Sequence, residues 1–236
     1  KEGIAGAVRQ LRERFPQSEK IDSVRHCQVW QANALSPSRE FRLSDWLQWH
    51  GVERGGVTIE VASLPGIFSD SELDAGTAML LDTLSQTPLE AGKTLDFACG
   101  AGVIGAWLQR FQSERGDPVL PVDGVDVQFQ ALACARATYE RVGTSGKITA
   151  SDGLLSVEGQ YQSVVTNPPF HTGISTDTSI TEQFLQGIKD HLVKGGELRL
   201  VANRFLPYQA LIRQYVGPVK ALAEDRKFVV WSARKA

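Results

Sequence analysis

LDFACGAGVIGAW, from Leu95 to Trp107, is the stretch on which the fold turns. The run KTLDFA that enters it is apolar and β-rich, and VIGAWLQRFQ that leaves it has helical spacing. Between them Gly100, Gly102 and Gly105 satisfy G-x-G-x-x-G, a turn whose backbone lies open beside a helix N-terminus. Such a turn suits a dinucleotide or a nucleoside. Asp126, closing the next apolar run in GVDV, can accept hydrogen bonds from both hydroxyls of a ribose. A nicotinamide-dinucleotide enzyme would carry the same two features, so they leave the ligand open.

Outward from this loop the chain alternates. VDGVDV, KITAS, YQSVVT, GELRLVAN, VKALAE and RKFVVWSA read as strands, and FQALACARATYERV and YQALIRQYV as helices. SITEQFLQGIKDHLVKGG reads as a further helix ended by Gly195 and Gly196. Alternation of this kind implies a parallel sheet covered by helices on both faces, an α/β fold. Upstream, GVTIEVASLPGIFSDSELDAGTAMLLDTL gives a strand, a Pro-Gly turn and a helix from about Leu73.

The N-terminal segment repeats the C-terminal one. GIAGAVRQLRERF is an amphipathic helix with Ile4, Val8, Leu11 and Phe15 on one face. RHCQVWQA, from Arg25, aligns without a gap on RKFVVWSA, from Arg226, and the same register sets Leu11 on Ile212 and Arg12 on Arg213. Residues 1–34 therefore read as the tail of a first copy of the fold, residues 35–56 as a polar connector, and residues 57–236 as the main domain. Trp46 and Trp49, in the connector, are expected to pack against the main domain.

QSVVTNPPFHTG, from Gln162 to Gly173, runs a buried strand into two prolines. Prolines cannot donate to a sheet ladder, and the residue before a proline is pushed out of the helical region. Asn167 is thus held extended at a rigid strand end, where α/β sheets place their chemistry. The segment reads either as a stiffened strand-to-loop turn or as a clamp for a base or amide. An exocyclic amine of guanine or adenine is a poor nucleophile because its lone pair is delocalised into the ring. Two fixed acceptors on its hydrogens, the Asn167 side-chain oxygen and the Pro168 carbonyl, would free that lone pair. Phe170 would offer a stacking face worth about 1–3 kcal/mol per base.

At 236 residues and 42% hydrophobic, the chain can bury one large core, or one core plus a fragment. Lys and Arg total 25 against 27 Asp and Glu, a net charge of -2, so nucleic-acid binding must come from local patches. Arg199, Arg204, Arg213, Arg226 and Lys227, near the last strands, either contact phosphates or form a scattered solvated face. No apolar run approaches a membrane span, and nothing at the start reads as a signal peptide. The chain starts at Lys1 and not Met, which suggests processing or truncation. Cys27, Cys99 and Cys134 fit neither a disulfide framework nor a zinc site and point to a reducing cytoplasm. His26, His50, His171 and His191 form no metal motif.

Two features narrow the ligand. Asp96, four residues ahead of Gly100, gives Asp-x-x-x-Gly-x-Gly, which resembles the S-adenosylmethionine (SAM) loop of class I methyltransferases. Asp152, in ASDGL after the third strand, can accept a hydrogen bond from an adenine amino group. LPGIFSDSELDAGTAMLL, DFACGAGVIG, VVTNPPFHTG and GGELRLVANRFLPY, in that order between residues 64 and 236, together resemble the ribosomal RNA small subunit methyltransferase C family of guanine-N2 methyltransferases. The resemblance implies a Rossmann-like fold with a seven-stranded, mostly parallel sheet and an antiparallel C-terminal strand. It implies a degenerate first methyltransferase-like domain without SAM binding, in agreement with the repeat. By motif it implies that Asp96, Ala98, Gly100, Gly102 and Asp126 hold SAM, that Asp152 meets the adenine, and that Asn167, Pro168 and Phe170 hold the target base. Phe68, in GIFSDSELDAG, is the residue expected to close over the cofactor. The implied partner is ribosomal RNA or the small subunit, met by a cytoplasmic monomer with no membrane and no metal.

Two departures stand out. The family usually has glycine where this chain has Ala98, and most of a first domain is missing. Large-subunit rRNA guanine-N2 methylation, glutamine-N5 or adenine-N6 methylation, and a non-catalytic RNA-binding module on the same fold remain alternatives. LPG before IFS and FLPY after Arg204 favour the small-subunit family, and Phe170 stands where the glutamine and adenine enzymes usually carry Tyr or Trp.

Overall fold

The computed structural model describes residues 3–25, 27–33, 42–68, 72–168 and 179–236. They fall into two compact units, Lys1–Asp45 and Trp46–Ala236. In the first, helix α1 (Gly3–Arg14) precedes an antiparallel hairpin of β1 (Glu19–Val24) and β2 (Cys27–Gln31). Val8, Leu11 and Phe15 of the expected apolar face are half-buried, whereas Ile4 is exposed.

The second unit opens with a hairpin of β3 (Gln48–Arg54) and β4 (Val57–Ser63). Gly55 and Gly56 turn it, with φ of +56° and +79°, the left-handed pair that a two-residue hairpin loop needs. The expected boundary at residue 57 therefore cuts through a hairpin, and the compact unit starts at Trp46. Trp49 is half-buried beneath the Arg141 guanidinium, 4.2 Å from its ring centre, but Trp46 is 61% exposed, contrary to expectation.

Beyond the hairpin lie helix α2 (Ala75–Gln86), β5 (Thr94–Phe97), α3 (Val103–Arg115), β6 (Val122–Asp126), α4 (Phe129–Val142), β7 (Ile148–Ala150) and β8 (Tyr161–Thr166). Then follow α5 (Ser179–Ile188), β9 (Leu192–Asn203), α6 (Tyr208–Tyr215), β10 (Val219–Glu224) and β11 (Phe228–Arg234). The seven strands β5 to β11 form one sheet in the order β10-β11-β9-β8-β5-β6-β7. Strands β5 to β9 pair in parallel, and β11 runs antiparallel to both its neighbours. Neighbouring residues of one strand serve opposite layers. Val165 packs with β4, α2, α3 and α4, while Val164 packs with α5 and α6, and both are wholly buried. A strand apolar on both faces is the mark of a sheet covered on both sides.

The α6-β10-β11 unit matches α1-β1-β2 in register. Glu19, Lys20 and Asp22 pair with Gln31, Trp30 and Val29, and the slip falls at Ile21. Lys220, Ala221 and Ala223 pair with Ser232, Trp231 and Val230, and the slip falls at Leu222. Every position is displaced by the same interval, the one separating Glu19 from Lys220, so the two hairpins share their pairing as well as their sequence.

Two expectations are corrected. Helix α5 ends at Ile188 and a short 3-10 turn, Lys189–His191, follows it, so Gly195 and Gly196 lie inside β9 and do not stop a helix. Arg199 is 1% exposed and cannot reach a phosphate. Its guanidinium donates to the Thr83 and Thr87 carbonyls at the end of α2, at 3.0 and 2.7 Å, and pairs with buried Glu197 at 2.8 Å. The cation thus satisfies the Thr87 carbonyl at the helix end and adds a second donor to the Thr83 carbonyl, which already accepts from the Thr87 nitrogen at 2.9 Å. Among the described residues no helix is long and apolar enough to cross a membrane.

Candidate active site

The loop after β5 is shaped by three left-handed residues in alternation. Ala98, Gly100 and Gly102 have φ of +55°, +54° and +77°. The Gly102 nitrogen donates to the Cys99 carbonyl at 2.8 Å, and α3 begins directly afterwards. A Cβ on Gly100 would meet nothing within 4 Å, so this backbone faces open space. Gly102 and Gly105 answer to a different demand. A Cβ on Gly102 would lie 3.0 Å from the Tyr139 ring, and one on Gly105 would overlap the Tyr139 hydroxyl. These two glycines admit a tyrosine of α4; of the glycine motif, Gly100 alone lines the open cleft described below.

Asp96 lies beneath the loop. Its carboxyl is wholly buried, Oδ2 accepts from the Gly105 nitrogen at 3.1 Å, and Oδ1 has no partner. Burial pushes its pKa up to about 8; the Gly105 N–H opposes the rise and nearby Asp126 adds to it. Asp126 ends β6 and ties the loop from its other side. Its Oδ2 accepts from the Gly100 nitrogen at 2.9 Å and its Oδ1 from the Gln128 nitrogen at 2.8 Å. Gln128 in turn donates through Nε2 to the Gly66 carbonyl at 3.2 Å, which connects the Pro-Gly turn to the end of β6. Asp152 is exposed just past β7, where the Ser151 nitrogen donates to the Asp126 carbonyl at 3.0 Å. The two acids thus stand on adjacent strand ends.

On the other flank of β5, Phe97 is in register with Thr166, and the Thr166 hydroxyl donates to the Phe97 carbonyl at 2.7 Å. This sets Asn167 and Pro168 beside Ala98. Asn167 Nδ2 donates to Asp74 Oδ2 and to Thr77 Oγ1, each at 2.9 Å. Asp74 is also the N-cap of α2, accepting from the Thr77 nitrogen at 2.9 Å. A solvent-open cleft of about 490 Å³ collects Phe68, Asp74, Thr77, Ala98, Gly100 and Asn167 on its walls. Phe68 is 63% exposed there. Pro168 is buried, and Phe170 lies outside the described residues.

Of the expected residues, the structure brings Phe68, Ala98, Gly100 and Asn167 to one cleft and sets Asp126 and Asp152 side by side across the loop. Asp96 and Gly102 support the loop from within and do not line that cleft. Asp74 and Thr77 were not anticipated; DAGT marks a helix start, and nothing local shows that the cap also holds Asn167. Val127, next to Asp126, is 73% exposed.

Comparison with known proteins shows which family the chain belongs to. The methyltransferase small domain family matches residues 58–232, and the N-terminal domain of the same family matches residues 1–50. Ribosomal RNA small subunit methyltransferase C of Pseudomonas fluorescens is 39% identical over 233 residues, which cover 99% of this chain and 68% of the relative. The protein of the same name from Pseudomonas aeruginosa is 40% identical over 234 residues, with the same coverage. Among solved structures, a T. thermophilus 16S rRNA N2 methyltransferase in complex with AdoMet and guanosine superposes with a TM-score of 0.81 at 21% identity. That match covers 99% of this chain and 62% of the other. A Pyrococcus furiosus methyltransferase gives 0.56 at 18% identity, over 73% of this chain and 90% of its own. The chain spans about two thirds of the length of the curated relatives it matches.

A parallel sheet with one reversed strand, a glycine loop after β5 and an acid closing β6 define a class I methyltransferase. By sequence and by fold, the chain belongs to the ribosomal RNA small subunit methyltransferase C family.

Proposed function

We propose that this chain transfers a methyl group from SAM to the exocyclic N2 amine of a guanosine in 16S rRNA. The observation that carries the reading is the Asn167 amide at the end of β8, held through its nitrogen beside the Ala98–Gly100 backbone. The names of the relatives favour the small subunit over the large one.

The residues present fit the cofactor. The open face of Gly100 allows close backbone approach, Asp126 supplies a carboxylate for the ribose hydroxyls, and Asp152 stands where an adenine amine would need an acceptor. Val127 offers the adenine an apolar face, and Phe68 overhangs the cleft. Asp96 acts one step back, by holding the loop through Gly105. Bound SAM supplies an electrophilic methyl on a sulfonium. Asn167 Oδ1 and the Pro168 carbonyl accept from the amine of the base and keep its lone pair off the ring, and Phe170 stacks on the base. These groups act by position and by fixed dipoles, with no covalent nucleophile.

Residues 1–34 are, in this reading, the C-terminal part of a first methyltransferase-like domain, supported by the shared hairpin register. The protein works as a cytoplasmic monomer on ribosomal RNA or the small subunit, with no metal in the reaction. The test is transfer of labelled methyl from SAM to naked 16S rRNA and to small subunits, with the product nucleoside identified by mass spectrometry. N2-methylguanosine is expected. N6-methyladenosine, or label found only in protein, would overturn the assignment.

A further inference from the structure

We propose that Asp74 and Thr77 are positioning residues that fix which way round the Asn167 amide stands, and so make Asn167 an obligate acceptor toward the target base. The inference rests on the preceding reading of Asn167 as the partner of an exocyclic amine.

A side-chain amide is close to symmetric in shape but not in chemistry: one end donates two hydrogens, the other only accepts. Turned one way, Asn167 would offer the cleft an acceptor suited to an amine. Turned the other way, it would offer two N–H donors, suited to a carbonyl or a ring nitrogen and repellent to an amine. Its neighbours remove the choice. An ionised carboxylate accepts only, so the Asn167 atom 2.9 Å from Asp74 Oδ2 must be the nitrogen. The second hydrogen of that nitrogen is taken by Thr77 Oγ1, also at 2.9 Å. Thr77 Oγ1 can accept because its own hydrogen is directed at Asp74 Oδ2, 3.5 Å away, and the Thr77 backbone nitrogen, donating to the same oxygen at 2.9 Å, keeps the residue against that carboxylate. Both hydrogens are therefore committed, and among the described residues none donates to Oδ1.

The consequence is a division of labour between distant parts of the chain. The cap that starts α2 lies 93 and 90 residues ahead of Asn167, yet it sets the polarity of the group that meets the base. A helix N-cap usually serves the helix alone. Here the same carboxylate oxygen serves both the helix and the site.

The test compares Thr77→Val, Thr77→Ser and Asp74→Asn with the parent chain. Thr77→Val keeps shape and removes the acceptor. It should lower kcat by about tenfold or more, as displacement of a positioned group does, while SAM affinity, RNA KM and Tm change little. Thr77→Ser, which keeps the oxygen, should restore the rate. Asp74→Asn, which presents an amide in place of the carboxylate, should also lower kcat. In the parent chain the side-chain N–H pair of Asn167 should be protected from hydrogen exchange in 15N-resolved NMR, and the protection should fall in Thr77→Val. An unchanged kcat in Thr77→Val, an equal loss in Thr77→Ser, or a rate loss matched by lost SAM affinity would overturn the proposal, as would an Asn167 amide that exchanges freely in the parent. Failure of the functional reading is separate: the parent chain would then make no N2-methylguanosine, while the exchange measurement would still report whether the amide is locked.

Discussion

The backbone nitrogen of Gly105 donates to Asp96 at 3.1 Å, and among the described residues that single bond is all the buried carboxyl receives; its other oxygen has no partner among them. With pKa raised from 3.8 to about 8, Asp96 keeps its proton in the folded chain at neutral pH while the unfolded chain has lost it. The folded state then binds more protons between about pH 4 and pH 8, and stability must fall as pH rises through that window, by up to about 1.4 kcal/mol per pH unit. Above pH 8 the loss levels off. Asp96→Asn removes the titration, so the variant should gain on the parent from pH 5 to pH 8 in urea melts. A difference that stays constant across that range would mean that Asp96 is ionised in the fold.

Gly105→Ala should damage the fold itself. The added methyl would overlap the Tyr139 hydroxyl, which is buried and donates to the Val122 carbonyl at 3.1 Å. Overpacking and a broken buried hydrogen bond together should cost about 2–5 kcal/mol. Thermal or denaturant unfolding measures this directly, and a loss below about 0.5 kcal/mol, the size of an ordinary surface change, would show that Tyr139 can move aside.

Gly100→Ala should behave differently. Its Cβ meets no neighbour, so the stability cost is confined to the left-handed backbone, about 1–2 kcal/mol. The methyl would instead occupy the space offered to the cofactor, and SAM affinity should fall markedly. Calorimetry that finds parent-like affinity would move the cofactor away from Gly100.

Ala98→Gly should be tolerated and mildly stabilising. Relief of the left-handed strain at φ +55° is worth about 1–2 kcal/mol, offset by about 0.4–1 kcal/mol for the freer unfolded chain. A small rise in Tm, with SAM affinity undiminished, is expected; a clear drop in Tm would mean that the alanine methyl makes contacts that outweigh its strain.

Asp126→Ala should weaken SAM binding by about tenfold or more, since each hydrogen bond to a charged acceptor is worth about 1.5–3 kcal/mol. The same carboxylate holds the Gly100 and Gln128 nitrogens, so the loop should also loosen. Asp126→Asn, which retains one acceptor, should fall between. Unchanged affinity by calorimetry would remove Asp126 from the site.

The frame of the fold is legible in the sequence because β5, β6 and β8 are short β-rich runs that stand between helices of clear period. Strand β3 is not, since QWHGVER buries only Val52 completely and its polar residues read as a connector. The glycine motif is readable as a loop, but not its division between the open Gly100 and the packed Gly102 and Gly105, because Tyr139 lies far along the chain on α4. Asn167 is legible from the prolines that stiffen it. Its partners are not, because Asp74 and Thr77 meet it only through the folded sheet.

The slips at Ile21 and Leu222 bear on how each hairpin tolerates a change of length. An extra residue in one strand of a ladder shifts its inside-outside alternation by one place, so β10 changes phase partway along and β1 does the same. Deleting the extra residue itself, Ile21 or Leu222, would restore regular alternation and leave both halves facing as they do, whereas deleting any other residue of the strand would turn one half over. Inserting a residue would likewise put the half beyond it out of phase unless the bulge absorbed it. Each ribbon therefore has one place, its slip, where a residue can be lost without reversing the faces of the strand.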